Sequence, residues 1–121
     1  MLIAAIAMTI AMALTMVSPA QAYDAYDATT CTGSTHTNGH IAVWDRVGGT
    51  WDVDAAIDYD NNGYHHWDFW LYRDGDAIRS GSTYGPDSWS WSVTDPAGPD
   101  TLKFRYANDA RTINCVAIVY M

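Results

Sequence analysis

The chain contains no glutamate and one lysine, Lys103, so all fourteen acidic residues are aspartate. Beyond residue 22 it also lacks glutamine and holds two leucines, Leu71 and Leu102. These are the side chains that lose least on entering a helix, and their scarcity argues against a helical domain. Cysteine is reduced to Cys31 and Cys115. Without a Cys-x-x-Cys spacing there is no local zinc or dithiol redox motif. No Gly-x-Ser-x-Gly turn and no phosphate-cradling glycine loop occurs, which removes the familiar hydrolase and nucleotide-binding signatures. Cations are also few. Six Lys and Arg against fourteen Asp give a formal net charge of −8. Such a field repels phosphate backbones and anionic head groups, so neither nucleic acid nor a membrane surface is expected as a partner. Cations, neutral sugars and basic proteins are compatible with it.

An apolar run from Met1 to Val17 leads into Ser18, Pro19 and Ala20-Gln21-Ala22. The small-residue ending is what a signal peptidase reads, and residues 1–22 are expected to be a secretory signal peptide. No Lys or Arg precedes the run. The competing reading, an uncleaved anchor, meets a run that barely reaches the roughly 17 to 25 residues needed to span a bilayer. Cleavage after Ala22 leaves a chain of about 99 residues, enough for one domain that buries roughly 60 to 70% of its unfolded surface. In an oxidising compartment Cys31 and Cys115 are expected to pair, closing a loop over nearly the whole domain, which is worth on the order of 4 kcal/mol.

What fills the chain is Trp, Tyr, Val, Ile and Thr, punctuated by Gly, Asp, Asn and Pro. The first group favours strands and the second turns. Residues 31–121 therefore read as all-β, a single small antiparallel β-sandwich (Ig-like or jelly-roll-like) with one disulfide, preceded by a flexible lead over residues 23–30. Alternation sorts the faces. Ile41, Val43 and Val47 face one way, and His40, Ala42, Trp44 and Arg46 the other. After Gly48-Gly49, the row Trp51, Val53, Ala55, Ile57 and Tyr59 is expected inward, with Asp52, Asp54 and Asp58 outward. Asp60-Asn61-Asn62-Gly63 suits a hairpin loop. His65, Trp67, Phe69 and Leu71 then form a core row opposite Tyr64, His66, Asp68, Trp70 and Tyr72. Trp89, Trp91 and Val93, then Leu102, Phe104 and Tyr106, and finally Cys115, Ala117 and Val119 complete the inward rows.

If the segments from His40 to Tyr72 form one antiparallel meander, their outward rows make a mixed face. It would hold Trp44 and Arg46, the aspartates, then Tyr64, His66, Asp68, Trp70 and Tyr72. Rings beside Asp, Arg and His suit sugars, which offer an apolar face to stack on and hydroxyls that donate and accept. Trp44, Arg46, Tyr64, His66, Asp68, Trp70 and Tyr72 are thus the candidate ligand-binding residues. Asp58 to Gly63 places oxygen ligands at EF-hand positions one, three and five, but Phe69 stands where the twelfth-position Glu is needed. An Asx-rich hairpin turn is the simpler reading. The histidines His36, His40, His65 and His66 have no spacing that ensures a metal site. No metal, cofactor or catalytic residue is expected, and the abundance of Asp makes glycosidase-like carboxylate pairs nonspecific.

The leading expectation is a secreted, monomeric, noncatalytic domain that binds an extracellular polysaccharide. The alternatives are a secreted inhibitor of a protease or amylase, acting through Ser80 to Asp87 or Asp95 to Asp100, and a cell-surface or spore structural component. Phe104-Arg105-Tyr106 resembles the Trp-Arg-Tyr triplet of small α-amylase inhibitors. It lies in an alternating strand rather than a turn, and the second disulfide of those inhibitors is lacking, so no residue roles carry over.

Overall fold

The computed structural model describes residues 23–33, 36–46, 49–60, 65–94 and 100–121. Residues 1–22, expected to be a signal peptide, together with Val47, Tyr64 and residues 95–99, lie outside them. Among the described residues nine strands run in chain order: β1 (Ala25–Ala28), β2 (Thr30–Thr32), β3 (Thr37–Arg46), β4 (Thr50–Asp60), β5 (His66–Arg73), β6 (Asp76–Tyr84), β7 (Asp87–Thr94), β8 (Thr101–Asn108) and β9 (Asn114–Tyr120). Every pairing is antiparallel. A four-stranded sheet has the order β1-β3-β4-β7, and a five-stranded sheet the order β2-β9-β8-β5-β6.

Set β1 and β2 aside and the order is β3-β4-β7 against β9-β8-β5-β6. With hairpins β3–β4, β5–β6 and β8–β9, this is the Greek key of an immunoglobulin-like sandwich rather than a jelly roll. The inward rows read from alternation meet between the sheets: Ile41, Val43, Val53, Trp67, Leu71, Leu102, Phe104, Tyr106, Cys115 and Ala117 are all fully buried. Phe104 and Tyr106 belong to that core, so the Phe-Arg-Tyr triplet cannot present itself to an amylase as a turn would.

Two local departures shape the surface. The β3–β4 register shifts between Asn38 and Gly39, a β-bulge. Past it the alternation of β4 reverses, so Tyr59, expected inward, is 38% exposed, while the Asp60 side chain turns in and is 1% exposed. Gly39 stands at the bulge because a Cβ there would lie 2.2 Å from the Ala56 carbonyl oxygen. A second glycine, Gly81, sits opposite Phe69, whose ring stacks on Trp89 at 4.0 Å. A Cβ at Gly81 would approach that ring to 2.8 Å.

The lead expected to be flexible is instead ordered as strand. Residues Ala25–Ala28 pair with β3 through four register positions, and the Asp27 carboxylate accepts a hydrogen bond from the Ile118 amide at 2.8 Å. The physical reason is an open edge on β3, whose unpaired backbone groups the lead satisfies. The chain then steps across to the other sheet as β2, where Cys31 and Cys115 are direct cross-strand partners joined by a disulfide, with Cα atoms 4.0 Å apart. At the opposite edge, Arg79 and Arg73 of the five-stranded sheet donate to the Ser92 and Thr94 carbonyls of β7, at 3.2 and 2.8 Å. Side chains thus fasten both long edges of the sandwich.

Candidate functional site

The meander on which the mixed face depended does not form. β4 takes β7 as its second neighbour, and β5 lies in the other sheet between β6 and β8. Trp44 therefore stands on the outer face of the four-stranded sheet, and His66, Asp68, Trp70 and Tyr72 on the outer face of the five-stranded sheet, with the core between them. Arg46 ends β3 opposite Thr50, its side chain outside the described residues, as is Tyr64. Turn chemistry is blind to this distinction, because Asp60-Asn61-Asn62-Gly63 serves a crossover as readily as a hairpin.

The two ends of the calcium-like segment also part. The Asp58 carboxylate lies 2.8 Å from His40 Nδ1 on the outer face. Asp60 points inward, accepting from Trp67 Nε1 at 3.0 Å and from the His65 amide at 3.2 Å. The bulge is responsible, and the two carboxylates do not converge.

On the four-stranded sheet the outward side chains fall into three parallel rows. The first is aromatic. Tyr23 meets Trp44 edge-on at 5.6 Å, stacks on Tyr26 at 5.2 Å, and Tyr26 stacks on His40 at 5.6 Å. The second is acidic, Asp52, Asp54 and Asp58 along β4. The third is Ser88, Ser90 and Ser92 on β7, registered opposite Ala56, Asp54 and Asp52. Ser90 Oγ donates to Asp54 at 2.7 Å and Ser92 Oγ to Asp52 at 3.4 Å. Between the rows lies a shallow depression of about 420 Å³, lined by Trp44, Asp52, Asp54, Ser90, Trp91 and Ser92. Tyr23 and Tyr26 are 41% and 49% exposed. Desolvation, and then the Asp58 charge, push the Tyr26 hydroxyl above its ordinary range, keeping it a neutral donor. Tyr23, Tyr26 and the serines were not singled out by sequence, and Asp52, Asp54 and His40 were read as outward without being named as ligand-binding residues. The signal was present in the alternating Ser88-Trp89-Ser90-Trp91-Ser92 strand, but its partner strand was not.

The outer face of the five-stranded sheet is built differently. Trp70 carries two guanidinium groups over its ring, Arg105 at 4.7 Å and Arg111 at 5.2 Å from the ring centre, and Lys103 sits 4.6 Å over Tyr72. Cations that rest on these rings occupy the surface a sugar would stack on. Beside them, Asp68 accepts from Ser82 at 2.7 Å and from Arg111 at 2.9 Å, and His66 pairs with Asp109. His66, Asp68 and Asp109 place ligand-type atoms within 4.8 Å of one another. Yet both Asp68 oxygens are already engaged by Ser82 and Arg111.

The Ser82 hydrogen bond first, then that of Arg111, hold the Asp68 carboxyl below its usual range. A carboxyl whose folded pKa is depressed contributes stability above its unfolded pKa, and that contribution is lost as pH falls through the folded value. Arg111→Gln is therefore expected to move the Asp68 carboxyl titration upward and to raise the pH at which the protein begins to unfold in acid. Carbon-detected NMR titration together with acid unfolding checks this. An unmoved Asp68 titration would deny the contact.

No family model, curated protein or solved structure matches this chain. Its function has to be read from the two faces themselves. A structural disulfide is compatible with an extracellular setting; among the described residues, no helix is long and apolar enough to cross a membrane.

Proposed function

We propose that this chain is a secreted, noncatalytic binding domain that takes an extracellular polysaccharide on the outer face of its four-stranded sheet. The observation that carries the reading is the set of parallel rows around the 420 Å³ depression. Trp44 and the two tyrosines supply apolar faces for pyranose rings, Asp52 and Asp54 accept from sugar hydroxyls, and Ser90 and Ser92 exchange with them. The site is open and shallow, as suits a chain laid across a sheet. Trp44 is retained from the residues expected by sequence. The capped rings of Trp70 and Tyr72 move out of the stacking role. An inhibitor acting through the Phe104-Arg105-Tyr106 triplet is disfavoured by the burial of Phe104 and Tyr106.

The test is retention of the oxidised protein on insoluble cellulose, chitin, xylan and bacterial cell walls, with tryptophan fluorescence followed during titration with soluble oligosaccharides. Trp44→Ala is expected to weaken binding about tenfold or more, the loss typical of a central aromatic anchor. Trp70→Ala should leave it unchanged. Equal losses for both would mean that the assignment of the face is wrong, and no retention on any polymer would remove the reading.

A further inference from the structure

In a chain with fourteen acidic residues and six Lys and Arg, Lys103 and Arg105 have no carboxylate partner among the described residues. Both stand on the outer face of the five-stranded sheet, two positions apart on β8, which puts them about 7 Å from each other on one side of the strand. Neither is loose. Lys103 rests on Tyr72 and Arg105 on Trp70, and Arg105 Nε donates to Asn114 Oδ1 at 2.7 Å. That bond uses Nε and leaves the terminal NH₂ groups without a hydrogen-bond partner among the described residues. Arg111, also over Trp70, is neutralised by Asp68. Across from β8, half-buried Val116 and Ile118 are the register partners of Arg105 and Lys103. Ser80 faces Trp70 from β6.

We propose that this face is a second binding site, for a carboxylate-bearing polysaccharide laid along β8. The two fixed cations take successive carboxylates through charge-assisted hydrogen bonds, Val116 and Ile118 meet the C–H faces of the sugars, and Ser80 and Asn114 reach their hydroxyls. The net charge of −8 does not forbid this. The Asp52, Asp54 and Asp58 row lies on the opposite outer face, with two sheets about 10 Å apart between them, farther than the roughly 8 Å over which exposed charges act at physiological salt. Two uncompensated cations fall short of the four to eight that hold an anionic membrane, to take the order of magnitude of polybasic segments. They also fall short of the many phosphate contacts that drive nucleic-acid binding. A polymer that carries one carboxylate on each sugar needs no more than two. This site is independent of the neutral-sugar face, and occupying both would let one molecule bridge two kinds of polymer.

The experiment is affinity electrophoresis and calorimetric titration of the oxidised protein with polygalacturonate and alginate, with dextran as neutral control and dextran sulfate as a stronger polyanion. Expected is binding to the two polyuronates that weakens as salt rises. It should drop about tenfold in Arg105→Gln and further in Lys103→Gln/Arg105→Gln, and persist in Trp44→Ala. Near-UV circular dichroism confirms folding, and Lys103→Gln alone, at a peripheral position, serves if the Arg105 variant does not fold. Three results would overturn the proposal: no polyuronate binding, binding that survives the double substitution, or tighter binding of dextran sulfate, which marks simple ion exchange. A fourth is salt-sensitive self-association in sedimentation that Arg105→Gln abolishes, because it would make a second copy of the chain the occupant. Loss of polyuronate binding in Trp44→Ala would place the ligand on the other face. Failure of the neutral-polymer pull-down leaves this test standing.

Discussion

Replacing both cysteines, Cys31→Ser with Cys115→Ser, is expected to lower the unfolding free energy by about 2 to 5 kcal/mol. The bridge spans 84 residues, so its removal returns to the unfolded chain nearly all the freedom that one crosslink can take from it. The native state suffers as well, since β2 has only three residues and pairs only with β9. Without the bond, β2 depends on three register pairs, and β1 depends on what β2 anchors. A domain of this size has roughly 5 to 15 kcal/mol to lose, so the reduced protein should be marginal at physiological temperature. Urea unfolding of the wild type with and without reductant, beside the double variant, measures the effect. A loss below about 1 kcal/mol, small against the range expected for native disulfides, would mean that the clasp is incidental.

Trp67→Ala should cost about 3 to 5 kcal/mol, the range for emptying a large aromatic site in a packed core. Trp67 is fully buried, meets Tyr106 edge-on at 5.1 Å and donates its indole N–H to Asp60 at 3.0 Å. Truncation leaves both a cavity and a buried carboxylate short of a donor. Trp67→Phe separates the two effects. It keeps most of the volume and loses only the hydrogen bond, so about 1 to 3 kcal/mol is expected. If Trp67→Phe unfolds at the same urea concentration as wild type, the Asp60 contact contributes nothing and the whole effect is packing.

The inward rows were legible because alternation has a period of two and only one face of each sheet meets the core. Ile41 with Val43, Trp89 with Val93, and Leu102 with Phe104 and Tyr106 all face as expected. Tyr59 did not, and the sign was Gly39, a glycine inside a strand that marks a bulge or a close backbone approach. The lead was taken for a flexible segment because short strands rich in Tyr and Asp carry little apolar signal, whereas an open neighbouring edge supplies the reason to pair. Of the candidate face, the sequence showed Trp44 and the Asp52 and Asp54 row as outward, but not the tyrosines, the serines or the face that they share. Which sheet a strand joins is decided by long-range packing, and nothing in Asp60-Asn61-Asn62-Gly63 distinguishes turning back from crossing over. The capping of Trp70 was equally hidden, because Arg111 reaches it from the loop after β8 and Arg105 from a strand distant in sequence.

The Cys31–Cys115 bond also determines how the molecule bears tension. A pull applied before residue 31 and after residue 115 is carried through one covalent link, and the 84-residue span between the two cysteines is bypassed. Such a force can peel β1, with Tyr23 and Tyr26, from β3, and the end of β9, with Ile118, from β8, while the strands from β3 to β8 stay assembled. Under shear, a polymer on the proposed faces would lose Tyr23, Tyr26 and Ile118 first, while Trp44, Asp52, Asp54, Lys103 and Arg105, all inside the bypassed span, would stay in place.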